Sequence, residues 1–329
     1  MMIRFTTDDI APKDRFDHWR ETRAKNLFGV TIEMPAERRS RFFGAFSAHT
    51  VGNAVASEMR ASAYHVSRRP ADIARAAANS LCIGFQVHGP GMFDTGHGRS
   101  HFVGNGDMVI NFSDLPFYAT PGTQDDFHFQ LLKIPVEDSL MLGQPVDDLF
   151  AARFVGDAAC SRAFRALFRA LMSERGLVGD AHADVAHIAR LALLARGRLK
   201  EGMPEVRAAL RAGQRYAARE IMFRRKHEQK LTPAMVAAEL GMSARQLFIV
   251  FESAEQSYLQ TLTSLRLAEA QRLLACADRL PIAQIVYASG FDSVATFYRH
   301  FKRLCGMAPG EFREHNHLLR QTHWERPAF

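Results

Sequence analysis

The amino-acid sequence predicts a two-domain α+β protein: a strand-rich front that closes as an antiparallel sandwich or barrel, and an all-α rear with two helix-turn-helix units joined by a long helix. Three observations lead there. Between about residues 30 and 135, short runs of alternating apolar residues are separated by glycine and proline turn clusters. Beyond Pro145 the apolar spacing becomes helical to the end of the chain. Within the last hundred residues one pattern, a short helix, a glycine turn and a capped second helix, occurs twice. The 329 residues suit two domains or so, and 47% hydrophobic residues give each enough apolar material for a core of its own. That composition excludes a disordered, collagen-like or disulfide-built chain.

Taken in order, residues 13–28 read as one helix, with Pro12 before it, Phe16, Trp19, Arg23 and Leu27 on one face, and Gly29 placed as a C-cap. Strands are expected at Val30–Met34, Arg41–Thr50, Leu81–Val87, Met108–Phe112 and Phe127–Leu131, broken by turns such as Gly89-Pro90-Gly91. A short helix interrupts them after Pro70, over 71–78. Phe85, Val87, Phe112 and Phe129 are the residues expected to line the interior. After Asp157 as N-cap, Phe164, Leu167, Phe168, Leu171 and Met172 recur at i, i+3, i+4, i+7 and i+8, with Arg162, Arg165 and Arg169 outside that stripe. A second helix runs over about 181–200 through Ile188, Leu191 and Leu194. Glu201-Gly202-Met203-Pro204 marks a boundary, and a long arginine-rich helix follows over about 205–229.

In the first repeated unit Thr232-Pro233 starts a short helix to Leu240, Gly241-Met242 turns the chain, and Ser243 caps a helix through Phe251. In the second, Pro281 starts a helix to Ala288, Ser289-Gly290-Phe291 turns, and a helix opens near Asp292 or Ser293 and runs to Leu304. Between them Leu262, Leu265, Leu273 and Leu274 anchor a helix of about 19 residues, close to 30 Å long. Successive major-groove faces of a duplex lie roughly 34 Å apart, so one rigid arm can set two reading heads into adjacent groove segments, tilt or DNA bending absorbing the mismatch. The charge agrees: residues 210–329 carry 17 basic and 11 acidic side chains, hence +6 of the chain's net +7.

Helical spacing turns Phe297, Phe301 and Leu304 inward and leaves Ala295, Thr296, Arg299, Lys302 and Arg303 outside. Arg299 can fork to guanine O6 and N7, Thr296 can touch a base edge or phosphate, and Lys302 and Arg303 suit phosphates. In the first unit Leu247, Val250 and Phe251 form the core, leaving Arg245, Gln246, Phe248, Ile249 and Glu252. Arg245 and Gln246 have base or phosphate partners. For Phe248 and Ile249 two placements stay open: against thymine methyls in the groove, or packed on protein.

Leu240-Gly-Met-Ser-Ala-Arg-Gln-Leu247 with Phe251, Arg266-Leu-Ala-Glu-Ala-Gln-Arg-Leu-Leu274, Ile282–Ala288, Gly290-Phe-Asp-Ser293, Phe297-Tyr-Arg-His-Phe-Lys302 and Gly306-Met-Ala-Pro309 with Phe312-Arg313 resemble the AraC/XylS family of bacterial transcriptional regulators over about 100 residues. Ile249 stands where that family usually has Arg or Lys, Ala295 where it commonly has a polar residue, and Gln256-Ser257 replaces its usual glycine. The front half is similar to the family's cupin-like sensor, notably in Gly104–Ile110 followed by Asp114-Leu-Pro-Phe117. The resemblance implies a β jelly roll with flanking helices over 1–155, a helical dimerisation and linker region over 156–204, and a double helix-turn-helix domain over 205–329. It also implies a sequence-specific regulator of double-stranded DNA, expected to be an activator that contacts RNA polymerase. The Phe164–Met172 stripe is the candidate contact of a homodimer, with packing against the chain's own sheet as the alternative, and a small-molecule effector of unassigned identity would sit in the jelly roll.

An enzyme is the competing class, because cupin folds also hold catalytic metals. That chemistry wants an HxH pair on one strand with a carboxylate a few residues on. The front half offers His88, His97 and His101 beside Asp94 or Asp107 without that spacing, and the only HxH is His315-Asn316-His317 near the end. GxSxG, Walker A and GxGxxG patterns are absent, so no catalytic residue, metal or cofactor is expected. Cys82, Cys160, Cys276 and Cys305 are widely scattered and read as plain buried thiols. No apolar run reaches the roughly 18–20 residues of a membrane span, and a cytosolic protein is expected.

Overall fold

A computed structural model describes residues 2–22, 28–96, 98–122, 125–173, 177, 179–252, 254–276 and 280–324, with side chains of the last helix to residue 318. Its chain divides into two compact units, Met1–Gly213 and Gln214–Phe329.

The first unit contains β1 (Met2–Thr6), α1 (Arg15–Trp19), β2 (Thr31–Glu33), α2 (Ala36–Arg39), β3 (Gly44–Val51), β4 (Ala54–Ser62), β5 (His65–Arg68), α3 (Pro70–Arg75), β6 (Ser80–His88), β7 (Gly91–Asp94), β8 (Ser100–Val103), β9 (Met108–Phe112), β10 (Phe117–Pro121), β11 (Asp126–Pro135), α4 (Asp138–Met141), β12 (Ala152–Arg153), α5 (Ala158–Met172) and α6 (Ala181–Ala195). The strands form two sheets, ordered β1-β3-β4-β11-β6-β9-β12 and β2-β5-β10-β7-β8, with every pairing antiparallel. The expected jelly-roll sandwich with flanking helices is therefore present. Its strands outnumber those expected because several lack β-forming composition. Strand β4 is rich in Ala and Ser, yet Ala54, Ala56 and Ala61 are buried between neighbours, a placement that burial decides over propensity.

Helix α1 buries Phe16 and Trp19 against Phe42 and Tyr64, and past Trp19 the chain goes on as a wider helical turn over 20–22; Arg23 and Leu27 lie outside the described residues. Gly29 sits at φ +62, and a Cβ there would strike Arg68 and Ala76.

Helix α5 is capped by Asp157, whose carboxylate accepts from the Cys160 N–H at 2.6 Å. Its stripe is spent inside the unit: Phe164, Leu167, Phe168 and Leu171 are buried, Phe164 stacking on Phe154 at 4.3 Å and Phe168 meeting Phe85 at 6.0 Å. The large sheet thus has a helix layer on one face and the second sheet on the other. The segment 156–204 packs with the sandwich, and the division between units falls within helix α7 (Pro204–Arg225).

The second unit continues from α7 with α8 (Pro233–Leu240), α9 (Ala244–Glu252), α10 (Tyr258–Cys276), α11 (Ile282–Ala288), α12 (Val294–Cys305) and α13 (Pro309–Trp324). The expected all-α domain with two helix-turn-helix units and a 19-residue connecting helix, α10, is present. No single helix among the described residues is long and apolar enough to cross a membrane.

Candidate nucleic-acid interface and interior cavity

Each helix of the repeated pair is started and stopped by local chemistry. Thr232 caps α8, its hydroxyl accepting from the Met235 N–H, and Gly241 ends the helix at φ +69. Ser243 and Gln246 form a reciprocal capping box on α9: the Gln246 N–H donates to the Ser243 hydroxyl at 3.2 Å and the Ser243 N–H to Gln246 Oε1 at 2.7 Å. The second unit uses Ser293 on the Thr296 N–H and closes α12 at Gly306, φ +73.

Buried aromatic and aliphatic side chains then aim the two second helices. Phe297 and Phe301 are fully buried with Leu267, Leu274, Ile285, Val286 and Phe291. Leu304, expected to face inward with them, is 56% exposed. It is the last residue but one of α12, beyond the depth of the core beneath. In α9 Leu247, Val250 and Phe251 are buried as expected.

The outward faces are the feature of interest. Arg245, Gln246, Phe248 and Ile249 are exposed on α9, and Ala295, Arg299, Lys302 and Arg303 on α12, with Thr296 partly covered near its start. The side chains of Arg245, Arg299, Lys302 and Arg303 make no hydrogen bond or ion pair to any described residue. Several other cations of this unit are engaged in holding it together. Arg224 and Arg225 pair with Glu239, Arg225 also with Glu228, and Arg272 with Glu269. Arg266 donates to the carbonyls of Lys226 (3.0 Å) and Glu228 (2.6 Å), and burial depresses its pKa. Lys226 is buried 3.7 Å from Glu269, with its ammonium over the Phe223 ring at 3.9 Å. The Arg272 hydrogen bond leads in holding the Glu269 carboxyl below its ordinary value, and Lys226 assists. Sequence reading did not separate these structural cations from the outward ones, because the distinction lies in which helix faces another.

The carbonyl oxygen of Gln246 is committed to the cap, which leaves its amide NH2 free of that bond. Phe248 and Ile249 are 52% and 40% exposed, Phe248 touching only the edge of Tyr258 at 6.5 Å among described rings. Both side chains are thus substantially uncovered by the protein. Changing both to alanine is expected to cost less than about 1 kcal/mol of folding stability while lowering DNA affinity. A thermal melt beside a gel-shift titration checks this; a large drop in melting temperature with unchanged affinity would reverse the assignment.

Between its two sheets the first unit has a half-open cavity of about 240 Å³. Cys82, Gly84 and Gln86 of β6 line it, along with Phe127, Phe129, Leu131 and Lys133 of β11. Phe129 was expected there. Phe85 is not a wall residue; it turns to the helix layer, and Val87 and Phe112 also do not line the cavity. Strand β6 is covered on both faces, so both of its alternating sets are largely apolar and the phase could not be read from hydrophobicity. Lys133 was missed as well, although the inward series Phe127, Phe129, Leu131, Lys133 places one cation at the end of an apolar row. Cys82 and Cys160 are buried thiols, their pKa values pushed by burial to about 11, whereas Cys276 is exposed and Cys305 half-buried. Among the described residues no group of three His, Cys, Asp or Glu side chains converges on a metal position; His97 lies outside them.

Comparison with known proteins adds independent findings. Residues 236–315 match the family model described as a helix-turn-helix domain, and residues 19–197, more than half of the chain, match the one described as an AraC-binding-like domain. The transcriptional activator NphR of Rhodococcus sp is 25% identical over 307 residues, covering 90% of this chain and 88% of NphR. The HTH-type transcriptional regulator GlxA of Rhizobium meliloti is 39% identical over 87 residues, so this chain spans only 26% of GlxA's length. Among solved structures, the AraC-like transcriptional activator CuxR is 17% identical, with 87% of this chain and all of CuxR covered at a TM-score of 0.49. ToxT from Vibrio cholerae is 15% identical, with 79% of this chain and 98% of ToxT covered at 0.33.

Proposed function

The chain belongs to the AraC family of DNA-binding transcriptional regulators, and from that membership we propose that α9 and α12 are its two recognition helices, set into adjacent major-groove segments by α10. The observation that carries this reading is where the unpaired cations of the two second helices lie: Arg245, Arg299, Lys302 and Arg303 point outward without a partner among the described residues, while Arg224, Arg225, Arg266 and Arg272 are held by the fold. With 19 residues, α10 spans about 28 Å, short of one duplex turn by an amount that tilt or a modest bend supplies.

In this mechanism the basic unit is captured by the phosphate backbone, and Lys302 and Arg303 set the register. Arg299 forks to a guanine, with Thr296 and Ala295 near the adjacent base edges. Arg245 and the Gln246 amide supply the polar contacts of the first unit, and Phe248 and Ile249 its apolar contacts to thymine methyls. Arg299→Ala is expected to lose about 1–3 kcal/mol of discrimination between cognate and scrambled DNA, whereas Lys302→Ala lowers affinity for all sequences and flattens the salt slope by about one unit. Footprinting titrations at several salt concentrations separate the two; unchanged discrimination with Arg299→Ala would refute the reading of α12.

The first unit is proposed as the ligand-responsive gate, its cavity the effector site. NphR's description as an activator supports activation here, with RNA polymerase as partner when bound nearby, in the cytoplasm. A homodimer is also proposed; the buried stripe of α5 removes that helix face as its contact. The enzyme alternative finds no support, since the relatives matched are regulators.

A further inference from the structure

We propose that the cavity of the first unit takes a single-ring aromatic monocarboxylate, its carboxylate held by Lys133. This rests on the reading of the cavity as the effector site and goes on to the chemistry of the occupant. The argument begins with strand register. Lys133 of β11 pairs with Cys82 of β6, which pairs with Asn111 of β9, so three polar side chains form one row across the large sheet and all three line the cavity. The next row, Leu131, Gly84 and Val109, is wholly apolar.

The walls beyond it are largely aromatic: Phe28, Tyr64, Phe93, Phe117, Phe127 and Phe129. Asp126, at the other end of β11, lies seven residues and about 23 Å of strand from Lys133, and its carboxylate is 3.2 Å from His88.

Charge then selects the occupant's sign. Two cations line this cavity, and one is already satisfied. Arg68 donates to Asp114 and to the carbonyls of Ser113, Phe28, Gly29 and Ala76. Lys133 is half-buried and makes no hydrogen bond or ion pair to any described residue. The thiol beside it stays neutral, and Asn111 gives one amide hydrogen to the Phe112 carbonyl at 3.0 Å. An ammonium facing an apolar chamber without a counter-charge is stabilised by an anion that brings its own apolar body. The size selects the body. At about 240 Å³ the cavity falls below the roughly 300–1,000 Å³ of drug-sized sites, which points to a small occupant, and the aromatic walls offer faces for a single ring to stack on.

The test is calorimetric titration of the full-length protein with phenylacetate, its neutral isostere phenylacetamide, and acetate as an ionic control. Wild type is expected to bind phenylacetate at least about tenfold tighter than phenylacetamide, the size of one charge-assisted hydrogen bond, and acetate not measurably. Lys133→Met, which keeps the apolar stem, should bring the ratio close to one; Lys133→Gln replaces it if a melt shows the Met variant unfolded. Equal binding of acid and amide by wild type, or an unchanged preference in the folded variant, overturns the proposal. Binding of the amide alone refutes the anion but leaves the cavity as an effector site, and binding of neither refutes both.

Discussion

Gly290→Ala is expected to destabilise the second helix-turn-helix unit by about 2–5 kcal/mol and to abolish specific DNA binding. Gly290 turns the chain between α11 and α12 at φ +90, and a Cβ there would lie 2.0 Å from the Lys226 carbonyl oxygen. A left-handed residue with a side chain is strained by about 1–3 kcal/mol. The collision adds an overpacking cost of similar size, and because it is with backbone no rotamer change relieves it. That carbonyl is also the acceptor for Arg266 Nε at 3.0 Å, so moving it loosens the junction of α7 with α10. Gly306 supplies the control: it too is left-handed, φ +73, but its Cβ would meet nothing within 4 Å, so Gly306→Ala should cost only about 1–2 kcal/mol. Thermal melts of both variants, with footprinting of the retained fraction, decide this. Equal effects at the two positions would show that backbone strain alone, and not the contact with Lys226, makes Gly290 necessary.

Arg68→Met should cost the first unit about 3–5 kcal/mol, the expectation for removing one member of a buried, hydrogen-bonded ion pair. Arg68 is 4% exposed, and its guanidinium ties β5 to the end of α3, to Phe28 and Gly29, and to Ser113. Its partner Asp114, 2.9 Å away, also accepts from the N–H groups of Ala78 and Asn79. Burial by itself would raise the Asp114 pKa, but the bonds from Ala78, Asn79, Arg68 and Ser113 outweigh it and hold the carboxyl below its ordinary 3.8. A depressed folded-state pKa contributes stability that is complete above the unfolded value and is lost as pH falls through the folded one. Acid should therefore weaken the wild-type first unit below about pH 4, and Asp114→Asn should flatten that dependence. Urea titrations followed through the buried Trp19, at neutral and acidic pH, check both. A loss under about 1 kcal/mol for Arg68→Met would contradict the pair's structural role.

The rear of the chain was legible in detail because its signals are local. Thr232, Ser243 and Ser293 start helices, Gly241, Gly290 and Gly306 stop or turn them, and Phe297 with Phe301 orients α12, all within a few residues of the position they govern. The error at Leu304 arose where that locality ends, since helical spacing continues past the core that gives it meaning. In the front half the strands with alternating apolar residues were legible, while Ala-rich β4 and the short strands β5, β7 and β8 were not: their pairing energy comes from neighbours distant in sequence. The phase of β6 failed for the same reason, because a strand covered on both faces carries no inside and outside in its hydrophobicity.

By itself the sequence determined the two-domain class, the duplicated reading unit, the concentration of positive charge in the last third and the outward placement of the candidate DNA contacts. Periodicity and capping are properties of adjacent residues, and the chain encodes them directly. Only the tertiary structure decided which cations are spent on the fold, that the apolar stripe of α5 is internal, and that Lys133, Cys82 and Asn111 meet in one row of a cavity. Those facts depend on which segments pair across tens of residues, so they exist only once the sheets have closed.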